Sequence, residues 1–337
     1  MKPLFQYSRR RALGMIAATI GGAFMASRTR GAAAQASGAA ASPQPWVPGL
    51  ELYTLMLKPA DDLEAAFRQV AAIGYREVEL PGTYERSARE LRALFDKAGL
   101  ACPAVHVSPR PSKGAFDFAD IEKLASDLRT IGARYAVASI PYLPDRVYDV
   151  LQHPPAGFDV DAVAKLFTSL TVDDWNRAAD FLNRQGEALS KRGVRLAHHN
   201  HGADFAPLAG GTNGFRILVE RTDPKLVDFE LDVGWVVSAG QDVGALWKLV
   251  GDRVRLVHLK DTKRAATKNV MDLASTDAGT GIVPWRELVD LVAHAHVEHL
   301  FVEHEEPFAT TPMDAARNDY AFLTKLFNGN TSTETKR

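Results

Sequence analysis

The sequence predicts a single (β/α)8 TIM barrel, and three patterns carry that prediction: eight short apolar runs, helix-period segments between them, and glycines just before several of the runs. The runs span residues 50–55, 77–80, 102–107, 135–140, 194–199, 227–232, 254–259 and 299–303. Between the first two, Leu63, Phe67, Val70 and Ala71 form one helical stripe; Leu91, Leu94, Phe95 and Ala98 form the next. Gly74, Gly99, Gly132 and Gly193 stand where a helix must stop and the chain turn into a strand. An open doubly wound sheet is the competing architecture, but no G-x-G-x-x-G turn follows the first run.

Each remaining stretch has its place around that barrel. Residues 1–36 read as an export signal: Ser8-Arg9-Arg10-Arg11-Ala12-Leu13, an apolar body, then small residues around Ala32 to Ala36. The Arg9-Arg10 pair gives it a twin-arginine character, which implies export of an already folded protein to the periplasm or beyond. About 15 Gly- and Ala-rich apolar residues are short for a membrane span, so no stable anchor is expected. Residues 37–46 form a linker, 47–328 the barrel and 329–337 a polar tail. The longest insertion, 141–172, contains Pro141, Pro144, Pro154 and Pro155 and reads as a loop over the barrel mouth.

Composition narrows the chemistry. The 337 residues are 46% apolar with a formal net charge of -1, enough for a large core and without the basic surface that nucleic acid needs. The single cysteine, Cys102, excludes an internal disulfide and a Cys-based zinc cluster, and its apolar run implies a buried thiol. These numbers leave a homo-oligomer open.

Polar residues at the C-terminal ends of barrel strands point into the mouth. Here they are Glu79 on strand two, His106 on strand three, His198-His199-Asn200-His201 on strand five, Asp232 with Trp235 on strand six, His258 and Lys260 on strand seven, and Glu303 on strand eight. Imidazole and carboxylate converging from successive strands suit one divalent ion, manganese, zinc, iron or cobalt. Strand alternation puts His199 and His201 on one face; His201, nearer the mouth, is the preferred ligand and His199 the alternative. Glu230 shares a face with Asp232 but lies one layer deeper, so Asp232 is the better ligand.

The motifs LELYTL (50–55), AAIGYREVEL (71–80), HHNHGADF (198–205), LDVGW (231–235), LVHLKD (256–261), GTGIVPW (279–285) and FVEHEEP (301–307) together resemble the sugar phosphate isomerase/epimerase family of xylose isomerase-like barrels, to which tagatose 3-epimerase-type and inosose dehydratase-type enzymes are related. The resemblance runs from about Leu50 to Phe327. It implies metal ligands from strands five to eight, with Asp232, His258 and Glu303 at matching positions. Strand five departs, offering histidine where the epimerases carry a glutamate, and Trp235 replaces a histidine and suits a wall for a sugar.

The expected chemistry is metal-assisted proton transfer next to the carbonyl of a sugar or keto sugar, through an enediolate. The resemblance makes Glu303 both ligand and base. Lys260 is the candidate acid, its plainer role being an ion pair with Asp261 or a mouth carboxylate. His106 is a substrate contact or second base, and Glu79, His199, Trp235 and Lys260 complete the substrate-binding set. A lyase or hydratase acting on keto-glycosides or inosose-like substrates is the alternative. An endonuclease IV-type phosphodiesterase and a non-catalytic sugar-binding protein are the remaining readings.

Overall fold

The computed structural model describes residues 46–155 and 157–329. The signal segment, nearly all of the linker and the polar tail beyond Gly329 lie outside them. Eight parallel strands close into a barrel: β1 (Gly49–Glu51), β2 (Glu77–Leu80), β3 (Ala101–Ser108), β4 (Tyr135–Ala138), β5 (Arg195–His199), β6 (Val227–Asp232), β7 (Val254–Leu259) and β8 (His299–Val302). Each pairs with its neighbours in chain order, and β8 returns to β1. A short strand, Phe116–Asp117, adds to the end of β3.

The helices form where the stripes predict. In α1 (Leu63–Ile73) the residues Leu63, Phe67 and Val70 are buried, and Phe67 stacks on Phe95 of α2 (Ala88–Ala98) at 5.1 Å. Ser87 and Glu90 cap α2 reciprocally, and Gly99 ends it at φ 70°, in the left-handed region that suits glycine. Then come α3 (Ile121–Ile131), α4 (Asp145–Gln152), α5 (Val160–Thr168) and α6 (Val172–Ser190). The outer ring is completed by α7 (Gly214–Arg221), α8 (Val233–Ser238), α9 (Val243–Val250), α10 (Trp285–Ala293) and α11 (Pro312–Gly329). Among the described residues no helix is long and apolar enough to cross a membrane. Cys102 is buried, its thiol 3.3 Å from the Ala104 carbonyl.

Two stretches differ from the sequence expectation. The first run is a strand only to Glu51, whose carboxylate accepts from the Tyr53 N–H and turns Leu52–Leu55 into a 3-10 helix. The 141–172 insertion is two short helices, α4 and α5, the second opened by the Asp159 side chain on the Ala162 N–H. It lies on the mouth side: α5 packs against the turn Gly202–Phe205 that follows β5, and Asp161 accepts from Asn269 at 2.7 Å in the segment after β7.

The barrel axis is plugged by Ala104, Tyr135, Val137, Ala197, Leu256 and Phe301, all fully buried. Side chains two residues apart on a strand share a face. Two residues beyond Ala104, Ala197, Leu256 and Phe301 stand His106, His199, His258 and Glu303. The apolar layer therefore forms the base on which the polar layer rests, and regular strand alternation turns these four ionisable side chains toward the barrel interior.

Candidate metal centre

One donor each from His199, Asp232, His258 and Glu303 lies within 4.8 Å of the other three. They come from β5, β6, β7 and the residue after β8. All four residues are buried, and Asp232 and His258 are register neighbours on adjacent strands. Neighbouring side chains then fix each donor.

Both histidines have a carboxylate behind the ring. Glu230 contacts His199 Nδ1 at 3.0 Å, leaving Nε2 toward Asp232, 4.0 Å from its Oδ2. Glu79 contacts His258 Nε2 at 2.7 Å, leaving Nδ1 beside Glu303 at 2.7 Å and 3.9 Å from Asp232 Oδ2. A metal-bound imidazole commonly donates its other N–H to a carboxylate, which fixes tautomer and ring angle. Asp232 is held by Asn200, which receives the Asp232 N–H at 3.0 Å and donates to its carbonyl at 3.2 Å. Asp232 Oδ1 accepts from the Trp235 N–H at 2.8 Å, while Oδ2 faces the cluster with the Lys260 ammonium 2.9 Å away.

This donor set fits a divalent ion of the borderline class. Two imidazoles and two carboxylates, spaced from hydrogen-bond contact to 4.8 Å, would be His199, Asp232, His258 and Glu303 as ligands. Burial and the charge of His258 push His199 down to about 3, so it stays neutral and available to ligate. Burial raises Asp232 to about 6 against the pull of Lys260. Burial alone would raise Glu303 too, but Lys260 and His258 hold it well below the usual carboxylate range.

Lys260 sits at the centre of the mouth. It is buried, with Nζ 2.9 Å from Asp232, 2.8 Å from Glu303 and 2.6 Å from Glu305. Burial would lower it, yet these three carboxylates hold its pKa well above the ordinary lysine value. Asp261 is not among its partners. That carboxylate accepts instead from the backbone of Gly279, Gly281 and Val283 and from Trp285 Nε1, which explains why the GTGIVPW segment folds against β7.

The other sequence-derived candidates are placed as follows. His201, the preferred strand-five ligand, falls beyond the end of β5; its ring is 4.7 Å from that of His199 and outside the four-donor group, which takes His199 instead. Trp235 is buried under Lys260 Nζ at 5.4 Å and beside the His201 ring at 5.6 Å, so it backs the lysine. His106 turns Nε2 inward, 3.7 Å from Glu79 and 3.6 Å from Glu230. Glu79 lies in the layer below the mouth, where burial and neighbouring Glu230 push it up to about 8. Glu305, inside the FVEHEEP motif at the end of strand eight, was given no role by the sequence reading, and Glu51 was not singled out. Glu305 follows the strand end, where alternation no longer applies; Glu51, a lone carboxylate in an apolar first run, was the available signal.

The comparisons agree with this architecture. Residues 67–326 match the family model of the xylose isomerase-like TIM barrel. The inosose dehydratase of Geobacillus thermodenitrificans is 26% identical over 234 residues, 67% of this chain and 74% of that one. Several Bacillus inosose dehydratases match over only 55% of their length. A sugar phosphate isomerase/epimerase structure from Parabacteroides distasonis has a TM-score of 0.63 at 21% identity, covering 85% of this chain and 96% of that one. A xylose isomerase-like TIM barrel protein from Mycobacterium smegmatis, solved in complex with magnesium, has a TM-score of 0.54 at 13% identity, covering 84% and 97%. With the family-model match over residues 67–326 added to the closed parallel barrel, the chain belongs to the xylose isomerase-like TIM-barrel family.

Proposed function

We propose that this protein is a metal-dependent sugar isomerase/epimerase-type enzyme that moves a proton on the carbon next to a carbonyl of a sugar or keto sugar. The observation that carries the reading is Glu303, a buried carboxylate placed between an imidazole at 2.7 Å and an ammonium at 2.8 Å, with Asp232 and His199 completing the cluster. A divalent ion held by His199, Asp232, His258 and Glu303 would polarise the carbonyl and offset the negative charge that develops on its oxygen.

The side chains account for the proton. Glu303 takes it from the carbon, and the C–H electron pair becomes the new C=C bond as charge moves to the carbonyl oxygen. Lys260 stands 2.8 Å from Glu303 and supplies a proton to oxygen. Returning the carbon-bound proton to the neighbouring carbon completes an isomerisation, and returning one to the opposite face completes an epimerisation. The neutral, weakly basic His199 stands where the epimerases carry a second carboxylate. That favours a second reading, a lyase: from the same enediolate a β-hydroxyl leaves as water, carrying the Lys260 proton, and a C=C bond remains. Export through the twin-arginine-type segment belongs to the same proposal, and keto sugars or keto-glycosides outside the cytoplasm are its substrates.

Incubating the manganese-loaded protein with keto sugars and inososes in deuterated water tests both readings. Deuterium at the carbon next to the carbonyl, with an isomer or epimer as product, supports the first. An unsaturated product with loss of water supports the second. Absence of exchange into every keto sugar and inosose tried would refute both.

A further inference from the structure

Beneath the mouth the structure holds more carboxyl groups than the four-donor cluster uses. Glu51, Glu79 and Glu230 are fully buried in the barrel interior. Among the described residues, Glu79 and Glu230 have only histidines as ion-pair partners, and Glu51 has no ion pair. Glu51 and Glu79 face each other in register on β1 and β2, and His106 stands two residues beyond the β3 partner of Glu79. One donor each from Glu51, Glu79, His106 and His258 lies within 4.8 Å of the others.

In each of these carboxylates one oxygen is occupied and the other is not. Glu51 Oε1 accepts from the Tyr53 N–H and Glu79 Oε2 contacts His258 Nε2. Glu51 Oε2, Glu79 Oε1 and His106 Nε2 are all buried without a hydrogen-bond partner. His106 Nε2 stands 3.7 Å from Glu79 Oε1, too far for a hydrogen bond. Two donors bound to one tetrahedral ion at about 2.1 Å each stand about 3.4 Å apart, close to that separation.

We propose a second divalent-cation site in the barrel floor, formed by Glu51, Glu79 and His106 and separate from the mouth cluster. Its ligand chemistry, one imidazole and two carboxylates, suits zinc or manganese. Glu79 links the two sites, with one oxygen on His258 and the other on the floor ion. A buried carboxyl group is costly to ionise without a counter-charge, and a cation at the free oxygens of Glu51 and Glu79 would supply it. This inference goes beyond the proposed reaction and does not require it.

The test is zinc stoichiometry. The protein is stripped with a chelator, reloaded with Zn²⁺, desalted and assayed for bound metal by mass spectrometry. Two equivalents per chain are expected for the parent, and one each for Glu51→Gln, His106→Ala and Asp232→Asn. Crystals of the zinc-loaded parent should show two anomalous peaks at the zinc edge, one against Glu51, Glu79 and His106, so the result does not depend on any variant folding. Loss of zinc in the floor variants with retention in Asp232→Asn supports the floor site even if the mouth reading fails. A single equivalent that survives Glu51→Gln and His106→Ala, or no retained zinc at all, overturns the floor site.

Discussion

His258 contacts a carboxylate at each ring nitrogen at the same distance: Nδ1 to Glu303 and Nε2 to Glu79, both 2.7 Å. A neutral imidazole carries one N–H, so it can donate to only one of them. Burial would lower its pKa, but Glu230 and Glu303 hold it well above the ordinary value. A cation on the Nδ1 side removes the need for that second proton and leaves Nε2–H for Glu79.

The mouth metal should therefore depend on Asp232 and His258. Asp232→Ala and His258→Ala are expected to lose the mouth-site metal while keeping the far-ultraviolet circular dichroism of the parent, because the apolar plug lies below both. Full metal occupancy in the two variants would remove this site from consideration.

Glu230 acts on the metal through His199. Glu230→Gln keeps the shape but weakens the acceptor 3.0 Å from His199 Nδ1, so mouth-metal affinity should fall roughly 10- to 100-fold. Competition with a chromogenic chelator measures it, and an unchanged affinity would mean that Glu230 does not orient the ligand.

Glu303→Gln retains an oxygen for coordination and loses basicity. Turnover and solvent-deuterium exchange should drop together, by roughly 100-fold or more, the scale for loss of a general base. Exchange at the parent rate in this variant would move the base to another residue.

A stability prediction concerns the start of α6. Asp174, in the first turn of α6, accepts from the Thr171 N–H at 2.8 Å and from Arg146 at 3.1 Å, and pairs with Arg177. Burial alone would raise it, but Arg146, Thr171 and Arg177 hold its carboxyl well below the usual range. A depressed carboxylate stabilises the fold above its unfolded-chain pKa and loses that contribution as pH falls through the folded value. Asp174→Asn should cost about 1 kcal/mol at pH 7, and the gap from the parent should close as pH falls below about 4. Urea unfolding of both proteins across this range checks the size and the sign.

The export proposal has its own test. Arg9→Lys with Arg10→Lys keeps the charge and removes the guanidinium pair, so the precursor should accumulate in the cytoplasm. Undiminished periplasmic protein in a host whose other export routes are blocked would contradict a twin-arginine route.

All eight runs could be read in the sequence as strands, the first only over its opening residues, because β-branched and apolar residues crowd barrel interiors, and the inward faces followed from a period of two. Depth was harder to read. His199 and His201 share a face, but β5 ends at His199, and Asp204 turns the chain by binding the His198 ring at 2.7 Å and the His201 N–H at 3.1 Å. Where a strand stops is set by such tertiary contacts, which periodicity does not encode. The same limit hid the pairing of Glu305 with Lys260, on an irregular segment, and the helices of the 141–172 insertion, whose prolines read as loop.

The stacking of Ala104 under His106, Ala197 under His199, Leu256 under His258 and Phe301 under Glu303 makes strand length a stricter quantity than strand composition. Exchanging one apolar residue of the plug for another of similar volume changes packing alone. Deleting a single residue between Leu256 and His258 would instead swing the imidazole to the helix side and bring Leu259 inward in its place. Insertions and deletions are thus confined to the connections outside the strands, as the extra helices after β4 already illustrate.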